Sequence, residues 1–353
     1  MVVIMNSEIL IIIPAYNPPI KLFDALLEKL DGAFKNILVI NDGSDESYDK
    51  YFKKLERKCH VLRHEYNMGK GKAIKTAYSY ALDNYKGIAS YVVIDCDNQH
   101  DVEDMIKCCQ KSIENPNSLV IGVRDFSLDN VPFKSKFGNT LTRNIFKWLF
   151  NKTISDTQTG LRAVTPEVAK KLLNIPGERY NYELKCLMTC CEENIPIIEV
   201  PIKTIYIDNN KESRFNPIND SILIYKEFIN YYLRLFIPYI ISLITFLCIF
   251  YLLNSNDDLK ALILTNSISG IINIIFNVLM NYKNIYIHNN IGNNLVYILK
   301  KVLKYFIAGF FIYILYNLLN VNLLLSKVLI DILLTIIIYI IFRNVGFNSE
   351  KKN

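Results

Sequence analysis

Several common signatures are missing from this 353-residue chain, and each absence excludes something. The eight cysteines contain no Cys-x-x-Cys spacing, and Cys108–Cys109 and Cys190–Cys191 are adjacent residues on expected helices, so a structural zinc site lacks its framework. Cysteines used this way fit a reducing compartment. The N-terminus has no positively charged region, apolar run and cleavage site in order, so no cleaved signal peptide is expected. Internal repeats, low-complexity linkers and the phosphate-loop spacing G-x-x-x-x-G-K-S/T are absent as well. A net charge of +6 gives no case for nucleic acid, and a basic lining toward anionic lipid headgroups accounts for it better.

What is present divides in two. Up to about residue 230, charged and apolar residues mix as in a soluble domain. Beyond it the chain reads LRLFIPYIISLITFLCIFYLL, enough helix to cross a hydrocarbon core about 30 Å thick. Spans are expected near 233–253, 259–281, 302–319 and 322–342, giving domains 1–230 and 231–353. Basic residues fall before the first span (Lys226, Arg234), between the second and third (Lys283, Lys300, Lys301, Lys304) and in the tail (Arg343, Lys351, Lys352). The other connections are acidic or neutral, as in NSNDD at 254–258. The positive-inside rule then places both termini and the soluble domain in the cytoplasm, on a multi-pass plasma-membrane protein.

The first domain alternates strands and helices, the pattern of a mostly parallel α/β sheet. Strands are expected at 8–14, 36–42, 60–64, 90–95 and 118–124, with helices over 21–30, 68–82 and 102–114. Two further segments carry basic and aromatic residues together. KSKFGNTLTRNIFKWLF (134–150) and NDSILIYKEFINYYLRLF (219–236, with 219–232 as an interfacial helix) suit either the headgroup layer or an ordinary core-facing helix.

Three polar segments, PAYNPP (14–19), NDGSD (41–45) and DCDNQ (95–99), each follow a buried strand. Ligands in open parallel sheets bind beyond the carboxyl ends of the strands, so these segments describe one pocket. Asp95 and Asp97 repel each other unless a cation sits between them. Their hard oxygens suit Mg²⁺ or Mn²⁺, which complete their shells with phosphate oxygens and water. NMGKGKA (67–73) offers helix N-terminal amides and Lys70 or Lys72 to a nearby diphosphate.

The ordered segments IPAYN, NDGS, NMGKGKA, DCDNQH and SDTQTGLRA (155–163) resemble glycosyltransferase family 2, most closely its dolichyl-phosphate or polyprenyl-phosphate sugar synthase branch. The second domain resembles the four-helix GtrA family, at NVLMNYKN (277–284) and LSKVLIDILLTIIIYIIFRNVGF (325–347). The resemblance implies a Rossmann-like GT-A catalytic domain followed by an all-α domain of four transmembrane helices. It also implies a divalent metal, a nucleotide-sugar donor (UDP-glucose, GDP-mannose or UDP-N-acetylhexosamine) and a polyprenyl or dolichyl monophosphate acceptor at the bilayer. Pro14, Tyr16 and Asn17 would line the nucleotide pocket, Asp42 would take the base, and Lys72 would lie near the nucleotide. Asp95, Asp97 and Gln99 would hold the metal and diphosphate. Arg124 and Arg162 would face the sugar or the acceptor phosphate, Asp156 would sit near the reacting sugar, and Arg214 would belong to a loop over the acceptor. Where the family usually has an acidic residue after IPAYN, this chain has Pro18.

A phosphate monoester is mostly a dianion at neutral pH, so such an acceptor needs no general base. A single displacement predicts inversion at the anomeric carbon, with Asp156 orienting groups rather than taking a proton. A processive polysaccharide synthase is disfavoured because Q-x-x-R-W is absent and Trp148 is the one tryptophan. A non-catalytic donor-binding scaffold remains open. The GtrA-like helices would anchor the enzyme and help assemble a homo-oligomer, or help move glycolipid across the bilayer; Asn266, Asn273, Asn277 and Asp331 mark a polar interior there.

Overall fold

A computed structural model describes residues 7–128, 131–205, 219–253, 259–280 and 303–346. Clustering of contacts divides the chain into two units, Met1–Glu227 and Phe228–Asn353.

In the first unit the apolar runs become strands: β1 (Ile9–Ala15), β2 (Asn36–Asn41), β3 (His60–Arg63), β4 (Ser90–Val93) and β5 (Leu119–Val123). Two more strands lie further on, β6 (Arg162–Val164) and β7 (Ile197–Pro201). One sheet holds all seven in the order β3-β2-β1-β4-β6-β5-β7. Pairing is parallel except at β6, which runs antiparallel to both β4 and β5. The mostly parallel sheet expected from the alternating pattern is therefore present, with one reversed strand inserted near its centre.

Parallel sheets are buried on both faces, which is why β1 is apolar at every position. Ile9, Ile11 and Ile13 pack with α1 (Ile20–Asp31) through Phe23, Leu26 and Leu30, and with α4 (Val102–Glu114) through Met105, Cys108 and Cys109. Between them in sequence come α2 (Asp49–Leu55) and α3 (Lys70–Asn84); α3 contacts β1 and β2. Next are α5 (Phe133–Phe150), α6 (Pro166–Leu172) and α7 (Asn181–Glu192), the last two packed on α3. Asp101 caps α4 by accepting from the Glu103 N–H (2.9 Å), a bond that fixes where the helix begins. The thiol of Cys108 is pushed up to about 12 by burial, so it behaves as apolar filler.

The topology gathers polar residues at one edge. The carboxyl ends of parallel β1, β2, β4 and β5 point the same way, and reversed β6 begins at that edge.

The boundary between the units falls within α8 (Asn219–Leu252), which is one continuous helix with Pro238 inside it. The segments expected as an interfacial helix (219–232) and a first span (233–253) are thus joined without a break. Then come α9 (Leu259–Met280), α10 (Leu303–Leu318, ending in a π-helical turn at Ile314–Leu318) and α11 (Leu323–Gly346). Among the described residues, Leu259–Phe276 is the one segment long and apolar enough to cross a membrane, with shorter apolar helices at Ile237–Leu252 and Leu303–Leu318. One of the four expected spans, that near 259–281, is matched by a segment that meets the length and composition test among the described residues.

Candidate active site

The ends of β1 and β2 are stitched together first. Asn17 donates its backbone N–H to Ser44 Oγ (2.9 Å) and its side-chain amide to Asp45 Oδ2 (2.9 Å), and the Asp45 N–H returns a bond to Asn17 Oδ1 (2.9 Å). Gly43 has φ +66°, and a Cβ there would lie 2.1 Å from the Tyr66 backbone, so NDGS needs its glycine. Tyr16 is exposed beside this junction, whereas Pro14 is buried within β1 and pairs with Ile40.

Asp42, at the end of β2, is 3% exposed and fully engaged. It accepts from the backbone N–H groups of Met68 (3.0 Å) and Gly69 (2.8 Å) and lies 2.7 Å from His64 Nδ1. These bonds hold the glycine turn that opens α3. Asp42, expected to take the base, here anchors a loop.

That turn delivers Lys70 to the tip of β4. Its Nζ lies 2.7 Å from Asp95 Oδ1 and 2.9 Å from Glu183 Oε1, a residue of α7. The wall of one cleft includes Lys70, Asp95, Asp97, Gln99, Arg124 and Glu183. The structure therefore brings the two aspartates, the glutamine and Arg124 together as expected. Lys72 is elsewhere, in a separate groove with Arg63 and Lys75. Lys70 and Glu183 complete the cleft. Lys70 could have been preferred from sequence, because the first helical residue after a glycine turn lies nearest the strand ends. Glu183 sits in no motif, and with Lys185 and Glu192 in the same helix nothing in the sequence of α7 marks it out.

Charge in the cleft is unevenly compensated. Burial alone would raise the Asp95 carboxyl, but Lys70 and then His100 outweigh it and hold Asp95 well below the usual carboxylate range. Burial would likewise lower Lys70, and Asp95 with Glu183 push it up instead. Asp97 moves the other way, raised by burial and by the charge of Asp95. His100, 6% exposed, has its Nε2 3.7 Å from Asp95 Oδ2.

These residues fit a divalent cation. Among the described residues no group of three or more His, Cys, Asp or Glu could hold a metal by itself. Two adjacent carboxylates suit an ion that takes its remaining oxygens from phosphate and water. Burial and the charge of Asp95 raise Asp97, so a cation between the two carboxylates would relieve their repulsion, and the backbone leaves room: a Cβ on Gly160 would lie 2.0 Å from Asp95 Oδ2. The glycine of QTGLR is thus required by the position of the Asp95 carboxylate.

The arginines take different roles. Arg124 clamps Asp156 in two bonds, Nε to Oδ2 (2.7 Å) and a terminal nitrogen to Oδ1 (3.1 Å). Asp156 is wholly buried and also accepts from the Gln158 N–H (3.1 Å). Arg162, expected to face sugar or phosphate, is instead 4% exposed and donates to the carbonyls of Glu183 (2.7 Å) and Thr159 (3.2 Å). It supports the backbone under Glu183 from behind the cleft. Arg214 lies outside the described residues.

A profile described as Glycosyl transferase family 2 matches residues 10–170. The chain is 30% identical over 222 residues to the UDP-N-acetylglucosamine–dolichyl-phosphate N-acetylglucosaminyltransferase of Methanococcus voltae, covering 58% of this chain and 88% of that protein. An uncharacterized protein of Methanocaldococcus jannaschii is 29% identical over 227 residues, covering 63% of this chain and 92% of its own length. Glucosyl-3-phosphoglycerate synthase from Mycobacterium tuberculosis, solved with Mn²⁺, UDP and glucosyl-3-phosphoglycerate, is similar with a TM-score of 0.48 at 16% identity, over 64% of this chain and 79% of that one.

Proposed function

The chain belongs to glycosyl transferase family 2 and is a glycosyltransferase, and on that premise we propose that it moves one sugar from a nucleotide-sugar donor to a polyprenyl or dolichyl monophosphate at the cytoplasmic face of a membrane. The observation that carries this reading is the Asp95–Lys70–Glu183 ion network beside Asp97, at the edge where the parallel strands end. The relative from Methanococcus voltae supports the lipid phosphate as acceptor and, among the expected donors, favours UDP-N-acetylglucosamine as the UDP-N-acetylhexosamine to test.

Asp95 and Asp97, with Gln99, would hold Mg²⁺ or Mn²⁺, which when bound neutralises charge on the diphosphate leaving group. Lys70 is placed to follow the donor: a diphosphate entering beside Asp95 presents new oxygens to its ammonium group. Glu183 and Arg162 keep that lysine aimed from behind.

Arg124 supplies fixed positive charge to the cleft wall, and its clamp on Asp156 keeps it there. With both oxygens of Asp156 engaged and no exposure, the carboxylate orients Arg124 and the loop at Gln158. A dianionic acceptor phosphate needs no proton removed, so the arrangement requires positioning and charge rather than a base. The second unit would anchor the enzyme, with α9 as a span.

The deciding experiment incubates the full chain in membranes with Mn²⁺, a prenyl phosphate and, in parallel, UDP-glucose, GDP-mannose and UDP-N-acetylglucosamine. One donor is expected to give an acid-labile lipid-linked monosaccharide with inverted anomeric configuration. A retained configuration, or sugar transfer into polymer alone, would overturn the reading.

A further inference from the structure

His100 is an orphan beside the cleft. It is buried, and among the described residues neither of its ring nitrogens has a hydrogen-bond partner. An imidazole carries at least one N–H, and an unpaired donor in the interior costs free energy. Its place in the fold calls for a partner that the empty site does not supply.

One acceptor lies almost within reach. Asp95 Oδ2 is 3.7 Å from His100 Nε2. That gap exceeds a hydrogen bond by roughly 0.7 Å, yet a bridging water would need about 4.5 Å or more. A displacement of the carboxylate by roughly 1 Å would close it. What holds the carboxylate back is Lys70, whose Nζ lies 2.7 Å from Oδ1 and has a second partner, Glu183 Oε1, at 2.9 Å. On the Oδ2 side the carboxylate packs on the bare backbone of Gly160, where a Cβ would lie 2.0 Å away. The glycine leaves that oxygen room to move.

We infer that His100 is a positioning residue for Asp95: when a diphosphate draws Lys70 off Oδ1, His100 donates its Nε2–H to Oδ2 and takes over the hold on the carboxylate. Oδ1 is then free for a cation while the carboxylate stays oriented through its other oxygen. Carboxylates that bind metals are generally steadied in this way by a hydrogen bond from a neighbouring group. The inference rests on the diphosphate donor and divalent cation proposed above.

The chain has four histidines, so ¹⁵N-histidine labelling gives few ring signals, and the one missing from His100→Gln belongs to His100. In the full chain in lipid nanodiscs, adding Mg²⁺ with UDP, or with GDP in parallel, is expected to move the His100 Nε2–H proton downfield, as a new hydrogen bond does. Lys70→Met should produce the same shift with no ligand, because it releases Asp95 by another route. A His100 signal unmoved by bound nucleotide, or unmoved in Lys70→Met, would overturn the handover.

Calorimetry supplies a second arm. His100→Leu removes the donor at similar volume and should weaken Mg²⁺-dependent nucleotide binding about 10- to 100-fold. His100→Gln sets an amide nitrogen as many bonds from the backbone as Nε2 and should recover most of that loss. Undiminished affinity in His100→Leu, or a loss that His100→Gln does not recover, would reduce the ring to packing. Absence of Mg²⁺-dependent binding of either nucleotide by the unaltered chain would sink the proposed function, and the ligand-free Lys70→Met spectrum would then decide the handover by itself.

Discussion

Asp95 has two rivals for its carboxylate, the ammonium of Lys70 at 2.7 Å and any cation the site takes up. Replacing Lys70 with Met removes one rival. Mn²⁺ alone should then bind more tightly, while donor affinity falls about 10- to 100-fold through loss of a charge-assisted contact. Calorimetry of Mn²⁺ with and without donor reads both effects, and weaker binding of Mn²⁺ alone would contradict the rivalry. Gly160→Ala tests the same carboxylate from behind: its Cβ would lie 2.7 Å from Asp95 Cγ, and a shift of about 1 Å in a positioning group costs on the order of 100-fold in rate. The folded state should survive, as judged by circular dichroism; unchanged kcat/KM would mean that Asp95 need not hold its place. Proton linkage follows from Asp97. Burial and Asp95 raise its carboxyl, so the empty site favours the protonated form more than a free aspartate does, and a cation must displace that proton. Affinity for metal and donor should therefore drop as pH falls into the raised Asp97 range, with protons released on binding. Calorimetry in buffers of different ionisation enthalpy measures that release, and zero release would refute it.

Elements differ in how plainly the chain announces them. β1, β2 and β4 are short apolar runs bounded by turn residues, and α4 starts and stops where Asp101 and Asn115 allow, so sequence reading placed them within a residue or two. β6 left no such signal. Its three residues, Arg162–Val164, are too few to form a run, and reversal of a strand is written in tertiary pairing rather than in periodicity. α6, α7 and β7 went unread as well, and with them Glu183. The motif residues were legible as chemistry and less so as placement: Asp95, Asp97, Gln99 and Arg124 meet in one cleft, whereas Asp42, Lys72 and Arg162 are turned elsewhere by contacts no spacing reveals. The loop between α5 and β6 carries the clearest test at this scale. Asp156→Asn breaks half of a buried clamp on Arg124, so stability should fall by about 3 kcal/mol, the usual cost of leaving one partner of a buried pair alone. Activity should fall partially, and most where acceptor is limiting. Complete loss of kcat at unchanged thermal stability would instead make Asp156 a proton acceptor.

Across the whole molecule, the two units treat charge in opposite ways. The first gathers several charges of both signs at one sheet edge, where water and ligands can reach them. In the second, Asp331 is the sole acidic residue between positions 259 and 346. It pairs with Lys327, whose Nζ lies 2.9 Å from Asp331 Oδ2 and 2.6 Å from Asn266 Oδ1 and which is wholly buried. Asn266 in turn donates to the Tyr305 carbonyl, and Gly270, one turn along α9, lets the Tyr305 ring approach where a Cβ would clash at 2.2 Å. The polar interior expected from Asn266 and Asp331 is thus a seam joining α9, α10 and α11. A pair whose lysine is wholly buried should matter more for helix association than an exposed one would. Asp331→Asn leaves the lysine charge without its carboxylate and should lower the stability of the second unit by about 3–5 kcal/mol. Adding Lys327→Met to that variant removes the stranded charge and should recover most of the loss. Thermal unfolding of the full chain in lipid nanodiscs measures both steps. A double variant no more stable than Asp331→Asn would mean that Asp331 acts through something other than Lys327, and the seam would lose its claim to hold the helices together.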